Sequence, residues 1–181
     1  MWGIGTAGIG HLTSVLQFGF ILGTLSIALT GIADRYSPSK IFFISAIIGA
    51  LANSAFPLAD GNLSVALILR FIVGISLAGI YPIGMKLVVN CAPGQTGNVL
   101  GWLVGMLAVG SGAPHLVRGL ELSSHWQNVL YVTSCLAFVG GLIVYKLGDG
   151  IVKSKAVERK KHKALGAFRI RDYRATAFGY F

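Results

Sequence analysis

Charge is scarce in this chain. Asp, Glu, Lys and Arg make up 12% of its 181 residues, against about 25% in a typical soluble domain. A surface that poor in charge cannot all face water, which excludes an ordinary soluble domain and turns much of the surface toward lipid. Cysteine is scarce too. Cys91 and Cys135 have no C-x-x-C or Cys/His spacing, so no metal site is expected. They are not expected to pair, with Cys91 in a cytoplasmic link and Cys135 inside an apolar run. There is no Walker A loop, which excludes an ATP-driven pump, and no G-x-S-x-G, H-E-x-x-H or acid–base pair within an apolar run. Gly3-Ile4-Gly5 and Gly8-Ile9-Gly10 neither follow a strand nor open a βαβ unit, so no dinucleotide cofactor is implied. The chain reads as neither an enzyme nor a cofactor protein. Residues 1–10 have no basic n-region or cleavage site and do not read as a signal peptide.

Long apolar runs are what the chain has. About 20 such residues cross the hydrocarbon core as a helix. Five spans are expected, at 12–32, 41–59, 63–85, 99–117 and 129–145. They are too long for barrel strands and do not alternate as barrel strands do. The fold class is all-α, a polytopic membrane helix bundle.

The net charge of +9 is unevenly placed, with ten of the 15 Lys and Arg at Lys146 or beyond. That is where orientation charges belong, so the excess does not imply a nucleic-acid partner. Thirteen cations fall on the side of the first link, the third link and the tail. One, Arg118, falls on the other side, and Arg70 lies inside a span. The positive-inside rule then puts the N-terminus outside and the C-terminus in the cytoplasm. Tyr145 and Lys146 suit an inner interfacial anchor, and Trp126 an outer one. Residues 148–163 form a polar stretch, read as a solvated linker or a short helix on anionic lipid.

Several residues stand out chemically. The first two spans are joined by Ala33-Asp34-Arg35-Tyr36-Ser37-Pro38-Ser39-Lys40. An anion at the C-terminal end of a helix opposes the dipole, so Asp34 needs a partner such as Arg35 or a cation on another helix, or else is a solvated turn residue. Pro38 stiffens the turn. Arg70 lies about 10 Å into the third span at roughly 1.5 Å per residue. At mid-membrane such a charge costs at least about 2.5 kcal/mol, and it faces the bundle or a wet cavity. It is either functional or tied to backbone carbonyls. Gly74 and Ala78 form a small-x-x-x-small face, as do Gly19 and Gly23 in the first span and Gly97, Gly101 and Gly105 before and within the fourth. Pro82 frees a carbonyl and can kink its helix. Tyr81 lines a pathway or packs. Gln17 touches solute or packs, and Gly49, Asn53 and Ser54 are similarly open. His115 belongs to the transport pathway or its coupling, or sits at the interface.

The charged turn resembles the signature loop of the major facilitator superfamily, the large group of secondary solute transporters. The family pattern has Gly where Thr30 stands, and here Gly31 follows one place later. It has Gly at Ser37 and basic residues at Pro38 and Ser39, with Lys40 as the nearest substitute. The resemblance implies an inner gate at Asp34, holding two helices together in the outward-open state. Leu69-Arg70-Phe71-Ile72-Val73-Gly74 resembles the family's arginine motif, associated with proton coupling or anion binding. Gly110 and Pro114 loosely echo a glycine–proline motif carried on another helix of antiporters, which does not establish antiport. The order matches family spans two to six. This implies five spans of an N-terminal half at 1–147, a basic central loop at 148–174 and the start of a further span at 175–181.

The implied function is secondary transport by alternating access of a small organic solute, anionic or neutral, with a coupling ion, as symporter or antiporter. The partners would be the lipid bilayer and the missing helices of a longer transporter, in a bacterial inner membrane. A non-transporting scaffold or partner half, assembling with a separate bundle, is the alternative.

Overall fold

Apolar runs bounded by Gly, Pro and Asn become helices because only intrasegment hydrogen bonds satisfy a backbone in lipid. The computed structural model describes residues 5–92, 94–119 and 126–149, with the backbone alone for Asp34 and for residues 113, 114 and 117–119. Helix α1 is Thr6–Thr30. It stops at Gly31, whose φ of 61° is left-handed and whose N–H donates to the Ile27 carbonyl at 3.0 Å. A side chain at that φ costs roughly 1–2 kcal/mol, which explains glycine there. One helical turn, α2 (Ile32–Arg35), occupies the middle of the charged turn. Pro38 then opens α3 (Pro38–Ala55), where its missing N–H costs nothing. A 3₁₀ turn, Phe56–Ala59, extends α3. Asp60 and Gly61, at φ 41° and 85°, complete the reversal.

Asn62 caps α4 (Leu63–Cys91), its Oδ1 accepting from the Ser64 and Val65 N–H groups at 3.0 and 3.3 Å. Helix α4 has 29 residues and is about 43 Å long. It runs on past Lys86, so Cys91 is its last residue rather than part of a link. Helices α5 (Thr96–Gly119) and α6 (Trp126–Leu147) follow, and Cys135 lies within α6. Helices outrun the expected spans because their ends can be polar where water or headgroups solvate them.

Among the described residues, four helices are long and apolar enough to cross a membrane: α1, α3 with its 3₁₀ turn, α4 and α6. Helix α5 covers the fifth expected span, 99–117, with the backbone alone described at residues 113, 114 and 117–119.

Helix α4 packs against α1 and α3, and α3 packs in turn against α6. Glycine permits the close approach. A Cβ on Gly74 would collide with the Leu16 carbonyl, and one on Gly23 would lie 2.7 Å from the Ala78 Cβ. Gly19 sits against the Phe71 carbonyl in the same way. Gly79 faces Ser45 across α3 and α4, and Gly141 faces Ala46 across α3 and α6. Lipid supplies no hydrophobic drive between helices, so these contacts bind by close packing. Phe43 adds a stack on Tyr145 at 4.9 Å between ring centres. Large side chains such as Phe18, Leu29, Ile44, Leu51 and Ile143 are exposed, as a lipid-facing surface requires.

Helix α5 differs. It touches α4 and α6 only lightly. A Cβ at Gly97, Gly101 or Gly105 would meet no atom of the described residues within 4 Å. The packing stripe expected there engages no described part of this chain.

Candidate functional site

The charged turn is held from two sides. A one-turn helix cannot satisfy its own carbonyls. In α2 the Tyr36 N–H takes the Ile32 carbonyl, and the next carbonyl, that of Ala33, accepts a hydrogen bond from the Lys86 ammonium on α4 at 2.8 Å. A cation at the carbonyl end of a helix also complements the dipole. On the other side, α3 begins with no cap from Ser37's side chain to its backbone. The Ser39 N–H instead donates to Asp149 Oδ1 at 2.8 Å, two residues past the end of α6. Partial desolvation raises the Asp149 pKa. Hydrogen bonds from Ser37 and Ser39 and the nearby Lys40 charge outweigh it and leave the carboxyl below its usual range. An anion thus sits at the N-terminus of α3 and a cation at the carbonyls of α2. Arg35 and Lys40 are exposed. Asp34 is the third residue of α2, and its side chain lies outside the described atoms.

Arg70 occupies a second centre. Its guanidinium stacks over the Phe56 ring, 4.2 Å from the ring centre. Its Nη1 donates to Asn53 Oδ1 at 3.5 Å, a long hydrogen bond. Asn53 reaches the other way into α6, donating through Nδ2 to the Leu130 carbonyl, Thr133 Oγ1 and Ser134 Oγ at 3.3, 3.3 and 3.0 Å. Phe56 meets Trp126 edge-on at 6.5 Å and belongs to a small core with Ala59 and Ala66, flanked by Leu12, Leu69 and Leu130. No carboxylate among the described residues pairs with Arg70. A guanidinium held beside a neutral amide and a ring, with donors that no described residue engages, can bind an anion.

The remaining candidates are dispersed. Gly74 lies four residues beyond Arg70 at the α1 contact. Tyr81 and Pro82 are half-buried farther along α4, which continues as a helix through the proline. Gln17 on α1 and His115 on α5 are exposed. No hydrogen bond or ring contact among the described residues joins any of them to Arg70. Gly97, Gly101 and Gly105 line an open groove of about 500 Å³ on α5 with Asn98, Trp102, Met106 and Val109. The basic stretch 150–174, Arg118's side chain and residues 175–181 lie outside the described residues.

Sequence reasoning passed over the parts of Lys86, Asp149 and Phe56. A lone acid after the last span was the visible signal for Asp149. Lys86 and Phe56 gave none, because each acts on a group more than ten positions away.

Comparison with known proteins agrees with this architecture. The Major Facilitator Superfamily model matches residues 2–180. A Bacillus subtilis (strain 168) protein, provisionally named a niacin/nicotinamide transporter, is 31% identical over 162 residues, 88% of this chain and 40% of that protein. The niacin transporter of Acinetobacter baylyi is 32% identical over 159 residues, 82% of this chain and 36% of its own length. An uncharacterized MFS-type transporter of Bacillus subtilis is 32% identical over 133 residues, 68% of this chain and 32% of that protein. The chain thus spans about two fifths or less of the curated relatives it matches. No solved structure matches. Apolar helices joined by glycine contacts, a held charged turn and a family match along almost the whole length agree: this chain is an integral membrane protein belonging to the Major Facilitator Superfamily.

Proposed function

We propose that this chain forms part of the N-terminal half of a secondary transporter that moves a small anionic organic solute by alternating access, with Arg70 as the anion-recognising or coupling group. Niacin, a heteroaromatic carboxylate, is the first solute to test, because two relatives carry it in their names. The observation carrying the proposal is a guanidinium within an apolar helix that has no carboxylate partner among the described residues. A charge is costly there and is retained where it faces a pathway or partner. Asp34 and Arg35, on the turn held by Lys86 and Asp149, are the proposed inner gate against helices of the other half. The N-terminus is outside, and a proton or another ion is the proposed coupling species.

The test has two stages. Immunodetection in source-cell membranes, with an antibody to residues 148–163, gives the native mass. A species well above 19.1 kDa is expected. A species near that mass directs the search to a separate partner chain. Uptake of labelled nicotinate is then compared between the native polypeptide and Arg70→Ala at equal membrane abundance. Uptake is expected to be lost, and normal kinetics in the variant would remove Arg70 from the proposal.

A further inference from the structure

We propose that Asn53 is the positioning residue that sets Arg70 to receive a carboxylate-bearing solute; this rests on the reading of Arg70 as an anion-recognising group. The orientation of the Asn53 amide follows from its neighbours. The Leu130 carbonyl can only accept, so the amide nitrogen must face α6. The Thr133 hydroxyl donates its proton to carbonyls of its own helix, Val129 at 2.9 Å or Leu130 at 3.0 Å, which leaves its oxygen to accept from Asn53. The amide oxygen is therefore turned to α4, where Arg70 can only donate.

A neutral amide orients the guanidinium without cancelling its charge, which a carboxylate at the same place would do. Phe56 covers one face of the guanidinium, so an incoming carboxylate meets its donor edge, the geometry of a two-point Arg–carboxylate pair. Three helices contribute: α4 carries the cation, α3 the amide and α6 the acceptors that hold it. A shift of α6 against α3 would reach Arg70 through this one side chain.

The test uses the polypeptide as its source cells make it, purified in detergent. Thermal midpoints of wild type, Asn53→Ala, Arg70→Ala and the double variant form a cycle. Nicotinate binding is measured beside binding of its neutral amide, nicotinamide, and Asn53→Asp is added. The midpoint shifts are expected to be non-additive. Nicotinate affinity should fall about tenfold in Asn53→Ala, the effect of losing one charge-assisted contact. It should disappear in Asn53→Asp, where an internal carboxylate takes Arg70, while nicotinamide binding changes little. Should Asn53→Ala fail to fold, Asn53→Asp still decides the matter. Additive midpoints, or wild-type nicotinate affinity in Asn53→Asp, would overturn the proposal. Non-additive midpoints in a protein that binds no nicotinate would support the positioning role and remove the solute assignment instead.

Discussion

Two glycine-rich stretches in this molecule look alike in sequence and behave oppositely in space. Along α1 and α4, Gly19, Gly23 and Gly74 are pressed against backbone or side-chain atoms of the facing helix. Along α5, Gly97, Gly101 and Gly105 recur at the same interval of four and meet no atom of the described residues within 4 Å. The interval places small residues on one face, but whether that face is used depends on what lies opposite. Helices α1, α3, α4 and α6 are joined at close range, and α5 is attached to them lightly.

Gly74→Ala should break the packed side of this comparison and have the largest effect. The new methyl meets the Leu16 carbonyl, which belongs to a helix backbone and cannot rotate aside. Overpacking of this kind costs typically about 1–3 kcal/mol and sometimes more. The expected result is a sharply lower melting temperature and little monodisperse protein in detergent. An unchanged melt would show that α1 and α4 do not cross at these glycines.

A smaller effect belongs to the inner edge of the same packed group. The folded-state pKa of Asp149 is lowered, so its contribution is present above the ordinary carboxylate pKa and is lost as pH falls through the lowered value. Asp149→Asn keeps an acceptor for the Ser39 N–H and removes the charge, so it should cost about 0.3–1 kcal/mol at neutral pH, the scale of a charge at a helix terminus. The difference from wild type should vanish in acid well below pH 4. A pH series of thermal melts checks both points, and a gap between the two proteins that persists in acid would rule out the carboxylate as the cap.

Gly101→Ala should have a comparably small effect, and its sign should be opposite to that of Gly74→Ala. With open space around the new methyl, the gain in helix propensity is roughly 0.5–1 kcal/mol. A melt at or slightly above wild type is expected in this chain expressed alone. A marked loss would mean that the α5 face is occupied in the detergent-solubilised protein.

Much of the fold was legible because membrane helices announce themselves in one dimension. The five apolar runs became helices, four of them long and apolar enough among the described residues to span a bilayer, and the turn at Gly31 to Pro38 lies where Gly and Pro demand one. The displaced glycine of the family pattern proved informative: Gly31, not Thr30, takes the left-handed φ. Arg70 was legible as a costly charge in an apolar run. Its surroundings were not, since Phe56 and Asn53 lie on the preceding helical segment and Thr133 and Ser134 on the last helix. A polar residue such as Asn53 within a span admits packing, solute contact or positioning until its neighbours are known.

The sequence by itself determined the all-helical membrane architecture, since lipid solvates no free backbone group and each long apolar run must close its own hydrogen bonds. It also determined where charge would be costly, because that depends on position along one helix. The tertiary structure decided which glycine faces engage, which carbonyl Lys86 relieves, which helix Asp149 caps and which amide steadies Arg70. Those outcomes depend on contacts a few ångströms long between residues as many as 110 positions apart, and local composition carries no record of them.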